Sequence, residues 1–283
     1  YNNFQLVRKI QLNSAYGAIG NEWFRYYDVE MAEAITLSGQ LSIRWIANKL
    51  NEYLNKTIGT EDYDYVVASD TDSVYLRMGN LVDKVMAGKT KEETIDFLDK
   101  VSKEVLVPFI QKSYKELAEL MSAYENKMDM DREIIADKGI WTAKKRYILN
   151  VHDNEGVRYQ PAKMKIMGIE TTRSSTPSIV RTALKNAIDL IVNTDEATVR
   201  EFISDFEKIF KNSSPEDIAF PRSVNGLDKY RDSSSIYRKS TPIAVKGALV
   251  YNHYLKEKRV RRKYREIYEG DKIKFVYLKK PNY

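Results

Sequence analysis

A chain of 283 residues, 43% hydrophobic and 30% charged, has room for a packed core in two domains, or in one domain with an appendage. It has no cysteine and only two histidines, His152 and His253, which excludes disulfides, thiolate metal sites, cysteine nucleophiles and a histidine-rich metal centre. No apolar run is long enough to span a membrane and no signal-peptide pattern opens the sequence, so an intracellular protein is expected, and the net charge of +6 suits an anionic partner.

The first helix is expected over residues 3–18, ending at Gly17 or Gly20. Lys9, Asn13 and Tyr16 are spaced i, i+4, i+7 and share one of its faces. That face offers a cation for phosphate, an amide for polar contacts and a flat ring for a base or sugar. A longer helix follows at 28–56, with Asp28 and Glu30 as acids at its start and Ile35, Ile43, Ile46 and Leu50 as its apolar stripe. Residues 64–78, DYVVASDTDSVYLRM, alternate apolar and polar positions around Asp70-Thr71-Asp72-Ser73, the pattern of a β-hairpin with one buried face.

Residues 90–122 read as helix, interrupted or kinked at Pro108. Strands are expected at 128–136, 140–151 and 157–169, with Asn154-Glu155-Gly156 as the last turn. Thr176-Pro177 marks a helix start, followed by helices at 177–193 and 195–211 with Val199, Phe202, Phe206 and Ile209 inward. Residues 212–235, rich in Ser and Asp, read as loop. Lys256 to Arg265 form a basic run with Tyr264 inside it, and Lys144-Lys145-Arg146 form a second cation cluster. Such clusters gain affinity for DNA by releasing condensed counterions; a charged, solvated helix face is the other reading of the first run. The order of elements makes an α+β chain, a sheet-based part followed by a mostly helical one.

Two carboxylates at one hairpin tip repel each other, and a divalent cation offsets that repulsion well. Mg²⁺ takes carboxylate oxygens together with substrate phosphates, the chemistry of nucleotidyl transfer. An Asp-x-Asp turn is by itself equally a solvated turn, because Asp bonds its own backbone there. The Lys9–Gly17 segment fifty-odd residues upstream shifts the weight toward chemistry.

Lys9-Ile10-Gln11-Leu12-Asn13-Ser14-Ala15-Tyr16-Gly17, followed by Asp70-Thr71-Asp72-Ser73, resembles the second and third polymerase motifs of the family B DNA polymerases. Phe24-Arg25-Tyr26-Tyr27-Asp28, Ala34-Ile35-Thr36 and Gly39-Gln40 resemble the T-even-like bacteriophage branch. Lys144-Lys145-Arg146-Tyr147 resembles the palm segment that holds the primer, and Lys165 to Glu170 with Ser174 to Pro177 resembles the passage from palm to thumb. Val245 to Leu249 is the best landmark beyond that. Ala68-Ser69 stand where many members have Tyr-Gly. The family's first motif, an Asp with Ser-Leu-Tyr-Pro beyond it, is not in this sequence, nor is the proofreading exonuclease.

The resemblance implies a C-terminal polymerase fragment: the end of the fingers at 1–21, palm at 22–169 and thumb at 170–283. It implies two-metal nucleotidyl transfer, with Asp72 and Asp70 as catalytic carboxylates and as ligands of two Mg²⁺ ions. Glu133 is a further metal candidate, and a strand residue paired with a lysine is an equal reading of it. By the same resemblance Lys9, Asn13, Tyr16 and Gly17 bind the nucleotide, and Lys144, Lys145, Arg146 and Tyr147 hold DNA. Primer–template DNA and a deoxynucleoside triphosphate (dNTP) are the implied partners, with an N-terminal polymerase and exonuclease portion; a sliding clamp is compatible, though no clamp-binding tail is evident. The implied location is the cytoplasm of an infected bacterial cell. A non-catalytic primer–template binding module, or a split-polymerase subunit completed by an N-terminal partner, stays open.

Overall fold

Eighteen residues without an interior proline give helix α1 (Asn2–Ile19), close to the expected span. Residues 3–17 are exposed, and Ala18 and Ile19 are partly covered. The computed structural model describes residues 2–277. Helix α2 (Val29–Ile58) begins where Asp28, in extended conformation, accepts a hydrogen bond from the Met31 amide at 2.9 Å. It stops at Gly59, whose φ of 77° places it in the left-handed region. Ser42, Ile46, Leu50, Leu54 and Ile58 are buried at four-residue spacing. Ile35, expected on that stripe, is exposed, and Ile43 is only half-buried. The core against this helix begins at its second half, so the apolar period starts later than the sequence suggests.

Strands β1 (Val66–Asp70) and β2 (Ser73–Leu76) pair antiparallel, with Asp70 opposite Ser73 and Ser69 opposite Val74. Helix α3 (Gly79–Val85) leads to α4 (Lys91–Val101), which starts on a capping box between Thr90 and Glu93. The Thr90 amide first, and then the Thr90 hydroxyl, donate to the Glu93 carboxylate and hold that carboxyl below its usual range. Instead of a simple kink at Pro108, a π turn occupies Ser102–Leu106 before α5 (Val107–Leu120). Pro108 has no amide hydrogen and its ring crowds the carbonyl four residues earlier, so the chain widens one turn upstream. Ile46, Leu50, Leu54, Ile58, Tyr65, Leu106, Ile110, Tyr114 and Leu117 form one core cluster. Each fully buried Leu or Ile there stabilises the fold by about 1.5–3 kcal/mol.

Strands β3 (Ile134–Ala143), β4 (Arg146–Asn154) and β5 (Val157–Met167) form a sheet in that order. This corrects the expected strands at 128–136 and 140–151: the break does not fall around Gly139 but at Lys144-Lys145. Gly139 is a mid-strand residue, and a Cβ there would lie 2.6 Å from the Trp141 ring. Glycine marks a close side-chain approach at that point, not a turn. The expected turn at Asn154-Glu155-Gly156 is present, with φ of 51° at Glu155 and 88° at Gly156.

Past β5 come a short 3₁₀ turn (Glu170–Thr172), α6 (Ser178–Asn193) and α7 (Glu196–Asn212). Pro177 itself takes the cap position of α6, one residue later than expected. Of the residues expected inward on α7, Val199, Phe202 and Phe206 are half-buried and Ile209 is exposed. The segment expected as loop contains α8 (Pro215–Ile218), β6 (Phe220–Ser223), α9 (Leu227–Tyr230) and β7 (Arg231–Asp232), which pairs with β8 (Ile236–Tyr237) just beyond it. Helix α10 (Ile243–Glu257) follows, and β9 (Lys272–Phe275) pairs antiparallel with β6 across about fifty residues of chain, a contact that local pattern does not carry. The basic run therefore leaves its helix at Glu257 and continues as turns.

The chain divides into two compact units, Tyr1–Asp137 with Val151–Lys163 and Lys138–Asn150 with Met164–Tyr283. The first contains the large core cluster. The second has two smaller ones, around Ile148, Ile169, Ile188 and Val192 and around Val224, Leu227, Val245, Ala248 and Leu249. No helix among the described residues is long and apolar enough to cross a membrane.

Candidate functional site

The acidic hairpin tip is built from its base upward. Asn51 and Asn55, one turn apart on α2, turn their amides to the chain entering β1. Asn51 Oδ1 accepts from the amides of Tyr65 at 2.9 Å and Val66 at 3.1 Å. Asn55 donates to the Tyr63 carbonyl at 2.8 Å and accepts from the Tyr63 amide at 3.0 Å. Tyr65 is fully buried, with its hydroxyl 2.9 Å from that of Thr60. Buried polar bonds of this kind fix geometry because breaking one leaves an unsatisfied group.

At the tip the Asp72 amide donates to the Asp70 carbonyl at 2.7 Å, closing a three-residue turn centred on Thr71. Thr71 has a φ of 55°, a conformation that a β-branched residue adopts only under strain. The Thr71 hydroxyl donates to Asp70 Oδ1 at 3.0 Å, and the Ser73 hydroxyl donates to the Asp70 carbonyl at 3.1 Å. Asp70 is half-buried and Asp72 exposed. Their oxygens are hard donors that suit Mg²⁺. Glu133 lies just before β3 and is exposed, its carbonyl accepting from the Glu155 amide at 2.7 Å. Among the described residues no group of three His, Cys, Asp or Glu is placed to hold a metal ion, so Glu133 does not complete a three-ligand set with the aspartates. The pair fits as one side of a metal site whose other ligands come from elsewhere.

On α1, Lys9, Asn13, Tyr16 and Gly17 are all exposed, and a Cβ on Gly17 would meet nothing within 4 Å. A glycine inside a helix costs about 1 kcal/mol against alanine, and no neighbour in the chain uses the space.

The basic cluster stands at a second hairpin tip. Lys144 and Lys145 join β3 to β4, and Lys145 has a φ of 61°. Gly168, with a φ of 67°, lies against this turn: a Cβ there would sit 2.2 Å from the Lys145 carbonyl oxygen. Arg146 pairs with Glu170 at 2.5 Å. The Glu170 carboxyl is held below its usual range first by a hydrogen bond from its own backbone; desolvation opposes this, and the charges of Arg146 and Arg173 add to the lowering. Lys144 and Lys145 are exposed, Arg146 is half-buried and Tyr147 is buried in β4. The positioning roles of Asn51, Asn55 and Gly168 escape a reading by motif. Two asparagines at i, i+4 near the end of a helix were the available sign for the first pair.

The family model for DNA polymerase family B matches residues 1–282. The chain is 40% identical to the DNA-directed DNA polymerase of Enterobacteria phage T4 over 99% of its own length and 32% of that protein. Against the DNA-directed DNA polymerase of Escherichia phage RB69 it is 41% identical over 98% of its length and 32% of that protein. The DNA polymerase delta catalytic subunit of Plasmodium falciparum is 26% identical over 90% of the chain. The chain thus spans about a third of the length of the phage polymerases it matches. Two ordered motifs, a strained acidic turn and a match along nearly every residue converge: the chain belongs to DNA polymerase family B.

Proposed function

We propose that this chain is the catalytic-region portion of a T4-like DNA-directed DNA polymerase, adding deoxynucleotides to a primer 3′ end. The observation that supports it most is the Asp70–Asp72 pair on a strained turn, in a chain matched to the family from end to end. In this reading residues 1–21 end the fingers, 22–169 belong to the palm and 170–283 form the thumb. The primer 3′-hydroxyl attacks the α-phosphate of the dNTP, and pyrophosphate leaves. Asp72, supported by Asp70, would hold Mg²⁺; when bound, that ion would supply activation of the hydroxyl and offset charge on the phosphates.

Lys9 meets the triphosphate as a point charge and Asn13 supports it. Tyr16 packs against the minor-groove side of the new base pair, and the open face at Gly17 lets that pair approach. Lys144, Lys145 and Arg146 hold the primer strand by its phosphates. Tyr147, being buried, contributes by fixing the strand that carries them. The basic turns from Lys258 to Arg265 add DNA contact. By analogy with the bacteriophage relatives, this work takes place in the cytoplasm of an infected bacterium.

One observation favours a second reading for the isolated chain: the aspartate pair has no third acidic ligand beside it among the described residues. Alone, the chain then binds primer–template DNA without extending it, and a polypeptide carrying the first motif completes it. Fluorescence anisotropy at two salt concentrations, beside a Mg²⁺-dependent primer-extension assay with and without such a polypeptide, tests both. Binding that weakens steeply with salt, with extension only after complementation, is expected. Absence of both binding and complemented extension overturns the proposal.

A further inference from the structure

Strands β6 and β9 make a two-stranded sheet in the second unit, and no third strand pairs with either among the described residues. Their register decides which backbone groups are used. The Val224 amide donates to the Asp271 carbonyl at 2.8 Å, and bonded pairs alternate along an antiparallel ladder. The bonded positions are therefore Val224–Asp271, Arg222–Ile273 and Phe220–Phe275. Between them Pro221, which has no amide hydrogen, stands opposite Lys274, and Ser223 stands opposite Lys272. The amides and carbonyls of Lys272 and Lys274 thus point away from β6, out of the open edge of β9.

That edge lines a cavity of about 500 Å³, whose other walls are Gly247 and Tyr251 of α10 and the segment Arg265 to Ile267. A Cβ on Gly247 would meet nothing within 4 Å. Glycine in a helix interior costs about 1 kcal/mol against alanine, and the chain itself makes no use of the room it leaves.

The two carboxylates of these walls are committed. Asp271 accepts from the Tyr268 amide at 2.8 Å and pairs with Arg265 at 3.3 Å, and Glu266 pairs with Arg261. The two lysines of the edge are not neutralised. Lys272 has no carboxylate partner among the described residues, and Lys274 Nζ donates only to the neutral Glu216 carbonyl, at 3.3 Å. Lysines on an open edge repel a second copy of that edge. They attract a strand of opposite charge.

We propose that the open edge of β9 takes an extended acidic segment of another protein as a third strand. Paired residues of neighbouring strands share a face of the sheet, and successive residues alternate between faces. Carboxylates at every second position of the added strand stand beside Lys272 and Lys274. The residues between them lie on the face of Ile273, which packs against α10, where Gly247 leaves room for small apolar side chains. The free backbone groups of the edge supply affinity, and the alternation of acidic and apolar residues supplies selectivity. Strand addition here uses no residue of the polymerase site, so it stands or falls apart from the function proposed above.

The probe is a capped hexapeptide alternating valine and glutamate, added to the full chain at pH 7 while amide hydrogen exchange is followed residue by residue. It should slow the Lys272 and Lys274 amides at least about tenfold and leave those of Ile273 and Phe275, already bonded to β6, unchanged. The same peptide N-methylated at every bond, its valine–lysine counterpart and a short DNA duplex should each leave all four amides unchanged. With a fluorescent copy of the acidic peptide, the exposed double change Lys272→Glu/Lys274→Glu should weaken binding about tenfold or more and admit the lysine peptide instead. No protection by the acidic peptide, or equal protection by the methylated or lysine peptide, overturns the proposal. So does protection by the duplex, which would make the edge a phosphate site, or an unchanged affinity in the double variant.

Discussion

The chain carries two hairpin tips of opposite charge, and they are held in different ways. Asp70-Thr71-Asp72 and Lys144-Lys145 each turn through a non-glycine residue at positive φ, Thr71 and Lys145. The acidic tip is fixed from its base: two asparagines of α2 hold the incoming strand, and local hydroxyls hold the turn. The basic tip is fixed from outside, by the backbone of Gly168 lying against Lys145 and by the Arg146–Glu170 pair. The contrast follows the chemistry proposed for each. Carboxylates that share a metal must keep their mutual geometry, whereas cations on long stems need only a stem directed at a phosphate track.

The largest effect that separates the tips is on catalysis. In an enzyme assembled with its N-terminal portion, Asp72→Ala should lower single-turnover incorporation by at least about a thousandfold, with DNA affinity little changed. Incorporation near the parent rate in a rapid-quench assay would remove the acidic tip from the mechanism.

Next comes Gly168→Ala. The added methyl meets the Lys145 carbonyl oxygen and the residue must also hold a φ of 67°. A loss of about 2–4 kcal/mol in urea denaturation is expected, with DNA binding weakened and the Asp70–Asp72 turn unaffected. An unchanged midpoint would show that the basic tip does not need its outside support.

Asn51→Ala strips the Tyr65 amide of its acceptor and leaves the Val66 amide with Asp64 Oδ1 alone, at 3.2 Å. It should cost about 1–3 kcal/mol and reduce incorporation without touching substrate, while leaving salt-dependent DNA binding alone. Loss of stability with full activity in the folded fraction would mean the tip keeps its geometry without its base.

The smallest effect is electrostatic. Lys144→Ala should weaken primer–template binding uniformly across sequences and lower the slope of log K against log salt by about 1. A parent-like slope would mark Lys144 as merely solvated.

Legibility in the sequence followed the range of the interactions. The spans of α1 and α2, the acidic hairpin and the Asn154–Gly156 turn are local, and each was readable from spacing and turn chemistry. The π turn was only half readable: Pro108 announced a disturbance, but its place upstream depends on which carbonyl the ring crowds. Gly139 misled because its reason for being glycine is a tryptophan ring on the same strand, indistinguishable in sequence from a turn signal. The pairing of β6 with β9 and the late start of the α2 stripe depend on partners far along the chain. At the site, the motifs gave the side chains of the acidic and basic clusters, whereas the residues that hold those clusters in place have no motif.

The π turn at Ser102–Leu106 also acts as a phase shifter. Ile95, Asp99, Ser102, Leu106, Ile110, Ser113 and Leu117 recur at three- and four-residue steps, and an unbroken α-helix would aim all of them one way. The wide turn, in which the Val107 amide reaches back to the Ser102 carbonyl, sets the second half behind the first by about one residue, ~100°. One stripe thus serves two directions. Asp99 reaches Arg132 from α4, while Leu106, Ile110 and Leu117 join the cluster on α2. Removing one residue from the wide turn would restore a regular helix and rotate one of the two faces away from its partner. The irregularity is what lets a single periodic segment gear two neighbours at once.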